Sequence, residues 1–338
     1  MTPVKASATS QSEGRSSRRA VIRALSAGSS LVLPLHFDPD GDSVGASIAL
    51  AHALASKGKR TCVVSRDPVP EMFGFLPGAR EVVPLAAFHD EFDTLVLVDQ
   101  SDPERSGCSS PDFLGKTVVN IDHHLSNAGF GHAHYVDKRS AASCEMIYRI
   151  LRDMGATLTQ ELATLLYTGI LTDTGSFRYD NTTSACLRVA SALVKAGARP
   201  AELARRIYET RTLANLRLVG QALARLNISD CGTVCWTVLT QDMLAVTMAH
   251  DDEGEGIVSY TRMVRGVEVG LIFKETEEGR TKVGLRSKDS VDVSSIASRH
   301  GGGGHARAAG FTFDGPLDEA IAAIVDEACA SVRESTCR

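Results

Sequence analysis

The stretch "SLVLPLHFDPDGDSVGASIALAHALASKG" (Ser30–Gly58) passes from a β-type apolar run into an acidic turn and then into an apolar helical segment. The run ends at His36, the turn carries Asp38, Asp40 and Asp42, and the helix is expected to start at a Ser43 cap and stop at Gly58. Three carboxylates crowded into one turn repel one another, and at least one should resist ionising. Either water solvates the turn, or a cation neutralises it.

Outward from this unit the chain keeps alternating. "RTCVVS", "DTLVLVDQS" (Asp93–Ser101) and "KTVVNIDHH" (Lys116–His124) read as strands, the last two as continuous apolar runs typical of parallel strands buried on both faces. "SAASCEMIYRILRDMG" and "TQELATLLYTGILTDTG" read as helices. The expected fold class is α/β, a doubly wound parallel sheet in residues 18–205 behind a disordered tail at 1–17. A connecting helix at 206–228 leads to a smaller mixed-sheet α/β domain at 229–338, with a cleft between the two domains. In such sheets ligands bind beyond the carboxyl ends of the strands, where His36, Asp99 and Asp122 all fall.

Composition narrows the classes. Of 338 residues 43% are hydrophobic and 23% charged, the balance of a globular protein with a sizeable core. A net charge of -5 argues against a general nucleic-acid surface, which would be basic. The eight cysteines are scattered without a C-x-x-C pair, which reads as buried thiols in a reducing compartment, hence the cytoplasm. "SSRRAVIRAL" (Ser16–Leu25) resembles a twin-arginine export signal, but Arg23 interrupts the apolar stretch that should follow. No segment approaches the ~18 apolar residues of a membrane span.

The acidic turn fails as an EF-hand, because Ser43 and Ala49 stand where Gly and Glu are needed and a strand precedes it. The metal reading gains from the rest of the chain. Asp99 follows "TLVLV"; Asp122, His123 and His124 follow "TVVNI"; Asp173 interrupts the apolar helix end in "GILTDTGSFRY". Together they form a carboxylate–imidazole set at one sheet edge, the composition that suits two divalent ions.

"HFDPDGDSVGAS", "LVLVDQSDPER", "IDHHLSN" and "ILTDTGSFRY", followed in order by "GLRSK" and "GGGGHARAAG", resemble the DHH phosphoesterase superfamily. The branch is that of nanoRNases and pAp-phosphatases with a DHH-associated C-terminal domain. The resemblance implies that His36 and Asp40 hold one ion, that Asp42, His123 and Asp173 hold the other, and that Asp99 bridges them. It implies that His124 points to the substrate phosphate and that Asp122 orients a ligand imidazole; Asp38 has no metal role. The ions are expected to be Mn²⁺, with Mg²⁺ or Co²⁺ as alternatives.

The glycine run Gly301, Gly302, Gly303 and Gly304, leading into His305, is expected to form a backbone-amide nest for phosphate rather than a linker. The resemblance adds Arg286 and Ser287 to the same grip. Arg105 and Arg178 are candidate phosphate contacts on the catalytic side. His52, His89, His132, His134, His250 and His300 lack evident partners. The resemblance implies hydrolysis of very short RNA oligonucleotides to mononucleotides, with pAp, pApA and cyclic di-AMP as further substrates, and a homodimer. No long nucleic acid or membrane is expected as a partner. The competing readings are a manganese-dependent inorganic pyrophosphatase, whose second domain would carry a basic clamp, and a non-catalytic nucleotide sensor. A RecJ-like exonuclease would need an additional barrel, for which no residues remain.

Overall fold

Four consecutive buried residues, Leu31–Pro34, form the strand behind the acidic turn. The computed structural model describes residues 6–108, 113–254 and 256–336. The first unit, ending at Thr210, contains α1 (Ala6–Ala27), β1 (Ser30–Pro34), α2 (Gly41–Ala55), β2 (Arg60–Ser65), β3 (Val83–Pro84) and β4 (Thr94–Val98). It continues with β5 (Thr117–Asp122), β6 (Ala133–Val136), α3 (Ser143–Asp153), α4 (Gln160–Asp173), α5 (Ser184–Lys195) and α6 (Pro200–Tyr208).

The sheet order is β3-β2-β1-β4-β5-β6, and every neighbouring pair is parallel. The chain walks outward from β1 to β3, then returns past β1 to β4 and continues the other way. That reversal opens a crevice at the carboxyl ends of β1 and β4. The short edge strands β3 and β6 carry little apolar pattern and were not expected. The helices α1, α2 and α3 pack on one face. On the other, Val32, Val64, Leu95, Leu97 and Val118 lie under Phe88, Phe92, Phe113 and Phe130 from connecting segments. The strand order is thus doubly wound, while the described helices gather on one side.

α1 starts at Ala6, ahead of the boundary expected at residue 18. Val21 and Leu25 are fully buried and Arg18 pairs with Asp153 at 2.6 Å, so a docked helix is already nucleated and extends backwards through residues without a proline.

Gly45 in α2 and Gly169 in α4 let these helices touch. A Cβ on Gly45 would lie 2.5 Å from the Leu165 carbonyl oxygen. One on Gly169 would lie 2.4 Å from Cys144 Sγ and 2.5 Å from Asp42 Oδ1. Gly169→Ala should therefore cost about 1–3 kcal/mol of stability and displace the Asp42 carboxylate. A lowered Tm together with weakened metal binding by calorimetry is the expected result.

The second unit, from Arg211 onward, contains α7 (Leu213–Leu223), β7 (Asn227–Ile228), β8 (Val234–Leu239), α8 (Gln241–Thr247), α9 (Val258–Thr261), β9 (Val269–Glu275) and β10 (Thr281–Ser287). α10 (Val293–Arg299), β11 (Gly303–His305), β12 (Ala308–Phe313) and α11 (Leu317–Thr336) complete it. The sheet order is β11-β12-β10-β9-β8-β7, mixed because β8 and β9 run parallel. Phe273, Leu285, Ile296, Phe311 and Ile324 lie in its core. The connecting helix is shorter than expected. Thr212 caps it by accepting from the Asn215 amide, and residues 227–228 instead pair with β8.

Candidate metal centre

Asp40, not Ser43, caps α2. Its backbone is extended, and Oδ1 accepts from the amides of Asp42 at 3.0 Å and Ser43 at 2.9 Å. Ser43 lies inside the first turn with its hydroxyl buried and without a hydrogen-bond partner. Asp42 is fully buried. Its two oxygens accept from the Ser143 amide at 2.5 Å and the Cys144 amide at 2.8 Å, so it also holds the N-terminus of α3, where negative charge is favoured.

Asp99 follows β4 with a left-handed backbone, φ 64. Among the described non-glycine residues only Asp38, Asp99, Ser176, Phe177 and Met248 have positive φ, and the first four lie in segments bearing the acidic groups. Such strain persists where the surrounding structure enforces it. The Ser143 hydroxyl donates to Asp99 Oδ1 at 3.0 Å.

Each imidazole is oriented by its other nitrogen. His36 Nδ1 lies 2.7 Å from the Phe37 carbonyl, leaving Nε2 3.6 Å from both Asp40 Oδ1 and Asp99 Oδ2. His123 Nδ1 faces the Ser140 carbonyl at 3.3 Å. Its Nε2 is 3.2 Å from Asp173 Oδ2, 3.4 Å from Asp99 Oδ1 and 4.0 Å from Asp42 Oδ2. A carbonyl can only accept, so both rings carry the proton on Nδ1 and present Nε2 to the carboxylates. The donor atoms of His36, Asp40 and Asp99 lie within 4.8 Å of one another, as do those of Asp42, His123 and Asp173. A third grouping joins Asp99, His123 and His124. These groups are able to hold metal.

Electrostatics supports that fit. Burial and the charge of Asp99 push Asp42 up to about 7. Burial and Asp42 hold Asp173 well above the usual carboxylate range. Burial opposes ionisation of Asp99, yet His123 and His36 hold it well below that range. Burial likewise opposes charge on His36 and His123, but Asp40 and Asp99 raise the first, and Asp99 and Asp173 the second. Without a cation the cluster must keep protons to limit its own repulsion. Asp38 stands apart, exposed, its amide on Asp67 Oδ2 at 3.0 Å.

The imidazole that Asp122 reaches is that of His124. Asp122 Oδ1 lies 2.6 Å from His124 Nδ1 and so orients that imidazole, whereas His123 leans on the Ser140 carbonyl. Both histidines lie just past the end of β5, their rings 4.9 Å apart, and of the two it is His124 whose Nδ1 reaches back to Asp122. Asp122 Oδ2 in turn accepts from Asn127 at 2.7 Å, and Asn127 also reaches Asn120 and the Gln100 carbonyl. Gln100 ties back to the Pro34 carbonyl at 2.7 Å. Sequence reading passed over Ser143, Asn120, Asn127 and Gln100, although a polar residue inside "TVVNID" was a signal. Asp122→Asn should keep the fold but lower kcat about 10–100-fold, with metal content unchanged, checked by kinetics alongside elemental analysis.

The remaining candidates scatter. The Arg105 carbonyl accepts from the Phe37 amide at 2.9 Å, pinning the start of the acidic turn, and its side chain is half-buried. Arg178 is exposed and donates from Nε to the Gly175 carbonyl at 2.6 Å. In the second unit, Arg286 is half-buried on β10 and donates to the Leu285 carbonyl. Ser287 is buried, its hydroxyl on the Ala306 carbonyl at 3.2 Å, so it braces the loop from within.

The glycine run is built into the sheet and is not a linker. Gly301 leaves α10 at φ 75, and Gly303 and Gly304 pair with Gly310 and Ala309 as edge strand β11. A Cβ on Gly302 would lie 2.3 Å from the Gly310 carbonyl oxygen and one on Gly304 2.4 Å from the Ala308 carbonyl oxygen, so at these two positions glycine is needed because the backbones touch. Its outer edge is exposed at Gly303 and Gly304. The side chain of His305 lies outside the described residues. His300, expected without a partner, stacks on Phe311 at 4.6 Å and reaches Glu327 at 2.7 Å.

Two family models match the chain. Residues 31–170 match the model of the DHH family, N-terminal domain, and residues 240–334 that of the DHHA1 domain. The bifunctional oligoribonuclease and PAP phosphatase NrnA of Thermus thermophilus is 37% identical over 91% of this chain and 90% of its own. The protein of that name from Bacillus subtilis is 28% identical, covering 86% and 91%. Among solved structures, an exopolyphosphatase-related protein from Bacteroides fragilis superposes with a TM-score of 0.85 at 23% identity, covering 92% and 95%. Thermus thermophilus RecJ in complex with Mn²⁺ gives 0.50 at 15% identity, covering 91% of this chain and 52% of RecJ. No helix among the described residues is long and apolar enough to cross a membrane. With its acidic and imidazole groups gathered at the ends of a parallel sheet and both domain models matched in order, this chain belongs to the DHH phosphoesterase family, as a hydrolase of the NrnA type.

Proposed function

We propose that the protein is a two-metal phosphoesterase that hydrolyses very short oligoribonucleotides to mononucleotides, removes the 3′-phosphate of pAp, and accepts pApA or cyclic di-AMP. The observation that carries this reading is the position of Asp99, whose two carboxylate oxygens face different imidazoles, His36 and His123. His36 and Asp40 hold one ion, Asp42, His123 and Asp173 the other, and Asp99 serves both. Mn²⁺ suits such an oxygen-rich set with two imidazoles, with Mg²⁺ or Co²⁺ as substitutes. When bound, a divalent pair supplies Lewis acidity toward a phosphoryl oxygen and acidifies the attacking water.

The chain's own groups do the rest. His124, fixed by Asp122, donates to the substrate phosphate. Arg286, the exposed edge of β11 and His305 are the phosphate-holding groups of the second unit, and Arg105 and Arg178 are those of the first. Arg286→Ala should raise KM about tenfold or more while changing kcat less, because a residue that only holds ground state and transition state alike contributes uniform binding. A homodimer in the cytoplasm is part of the same reading, supported by the family relationship.

The test is a substrate panel graded by length with Mn²⁺ present. Dinucleotides and pAp should turn over faster than long RNA and faster than inorganic pyrophosphate. The opposite ranking for pyrophosphate would replace the reading with a pyrophosphatase. Nucleotide binding without turnover would replace it with a sensor.

A further inference from the structure

Cys231 and Cys329 lie 98 positions apart in sequence, yet their sulfurs are 3.4 Å apart. Cys231 sits on the exposed turn between β7 and β8, and Cys329 lies buried on α11. Neither belongs to the metal centre, which is in the other unit. The surroundings of Cys231 are unlike those of Cys62, Cys108, Cys144, Cys186 and Cys235, which are at least half-buried. Ser229 Oγ lies 3.1 Å and Thr233 Oγ1 3.0 Å from its sulfur. Two hydroxyls can donate to one thiolate, and they lower the Cys231 thiol to about 6. Burial and the adjacent Cys231 raise Cys329, which stays a thiol. An exposed thiolate beside a buried thiol is the arrangement of a reacting and a resolving cysteine.

We propose that Cys231 and Cys329 form a peroxide-sensitive dithiol site that closes into an intramolecular disulfide, tying the β7–β8 turn to α11. The Cys231 thiolate attacks one oxygen of hydrogen peroxide, the O–O bond breaks, and the departing hydroxide takes a proton to become water. Cys329 then attacks the sulfenic sulfur, losing its proton as the second water leaves. Two electrons pass from the two sulfurs to the peroxide: two thiols and one peroxide give one disulfide and two waters. The bond would enclose residues 232–328, most of the second unit, and anchor α11. That helix also carries Glu327, which holds Arg299 and His300 just ahead of the glycine run.

The test uses the full chain, treated with equimolar hydrogen peroxide, quenched with N-ethylmaleimide and read by intact mass and peptide mapping. Two fewer alkylated thiols, a loss of two hydrogens and a Cys231–Cys329 linked peptide are expected. With Cys329→Ser, Cys231 should stop at the sulfenic acid and be trapped by dimedone. Ser229→Ala combined with Thr233→Ala should slow oxidation about tenfold. Both cysteines alkylated as thiols after peroxide, or Cys231 linked to any other cysteine, Cys337 included, would overturn the proposal. Sulfenic acid persisting in the unmutated chain would overturn it as well.

Discussion

Asp99→Asn should reduce phosphodiester turnover at least about 10³-fold while leaving the protein folded. Asparagine keeps the size and tolerates the left-handed backbone at φ 64, so the substitution removes charge rather than shape. Asp99 lies within reach of His36, His123, His124 and Ser143, and under the proposed assignment its carboxylate is the anion shared by both ions. Losing it should weaken both groups at once, whereas Asp40→Asn should weaken one. Turnover within tenfold of the parent, at saturating Mn²⁺ and with an unchanged circular-dichroism spectrum, would remove Asp99 from the centre of the scheme.

The second large effect is on stability and depends on pH. In the metal-free protein, Asp42 and Asp173 titrate above their ordinary values, and so do His36 and His123. A raised folded-state pKa gives stability that is present below the unfolded value and lost as pH rises through the folded one. For Asp42 that loss runs from the ordinary carboxylate range to about 7. For the two histidines it begins near the ordinary imidazole value. Asp40, Asp99 and Asp122 are lowered, so their contribution fades only in acid, below the ordinary carboxylate range. Between pH 5.5 and 8 the metal-free protein should therefore become less stable. Mn²⁺ competes with the same protons, so its affinity should rise over that interval. Thermal scans in chelator and in Mn²⁺ should show a Tm difference that is small at pH 5.5 and several-fold larger at pH 8. A difference independent of pH would show that metal does not bind at these proton-holding groups.

What could be read before folding was the part written in local chemistry. The apolar runs of β1, β4 and β5 announced a parallel sheet, and each ended at a residue with ligand chemistry. His36, Asp40, Asp42, Asp99, His123 and Asp173 follow from that coincidence and the DHH resemblance, and their donor atoms fall into two groups of three, each within 4.8 Å. Less legible were the partners. Ser143 donates to Asp99 from 44 positions away, and Asn127 supports Asp122 across a loop. Neither contact has a periodic signature.

The sequence by itself determined β1, β2, β4 and β5, the helices α2, α3 and α4, the acidic turn and the side-chain types at the strand ends, because periodicity and side-chain chemistry act over a few residues. Tertiary structure alone decided that Asp40 caps α2, that Asp122 serves His124, and that the glycine run becomes an edge strand. It alone brought Cys231 beside Cys329. These depend on which backbones and side chains meet across the fold, and that distance-dependent information exists only once the chain has closed on itself.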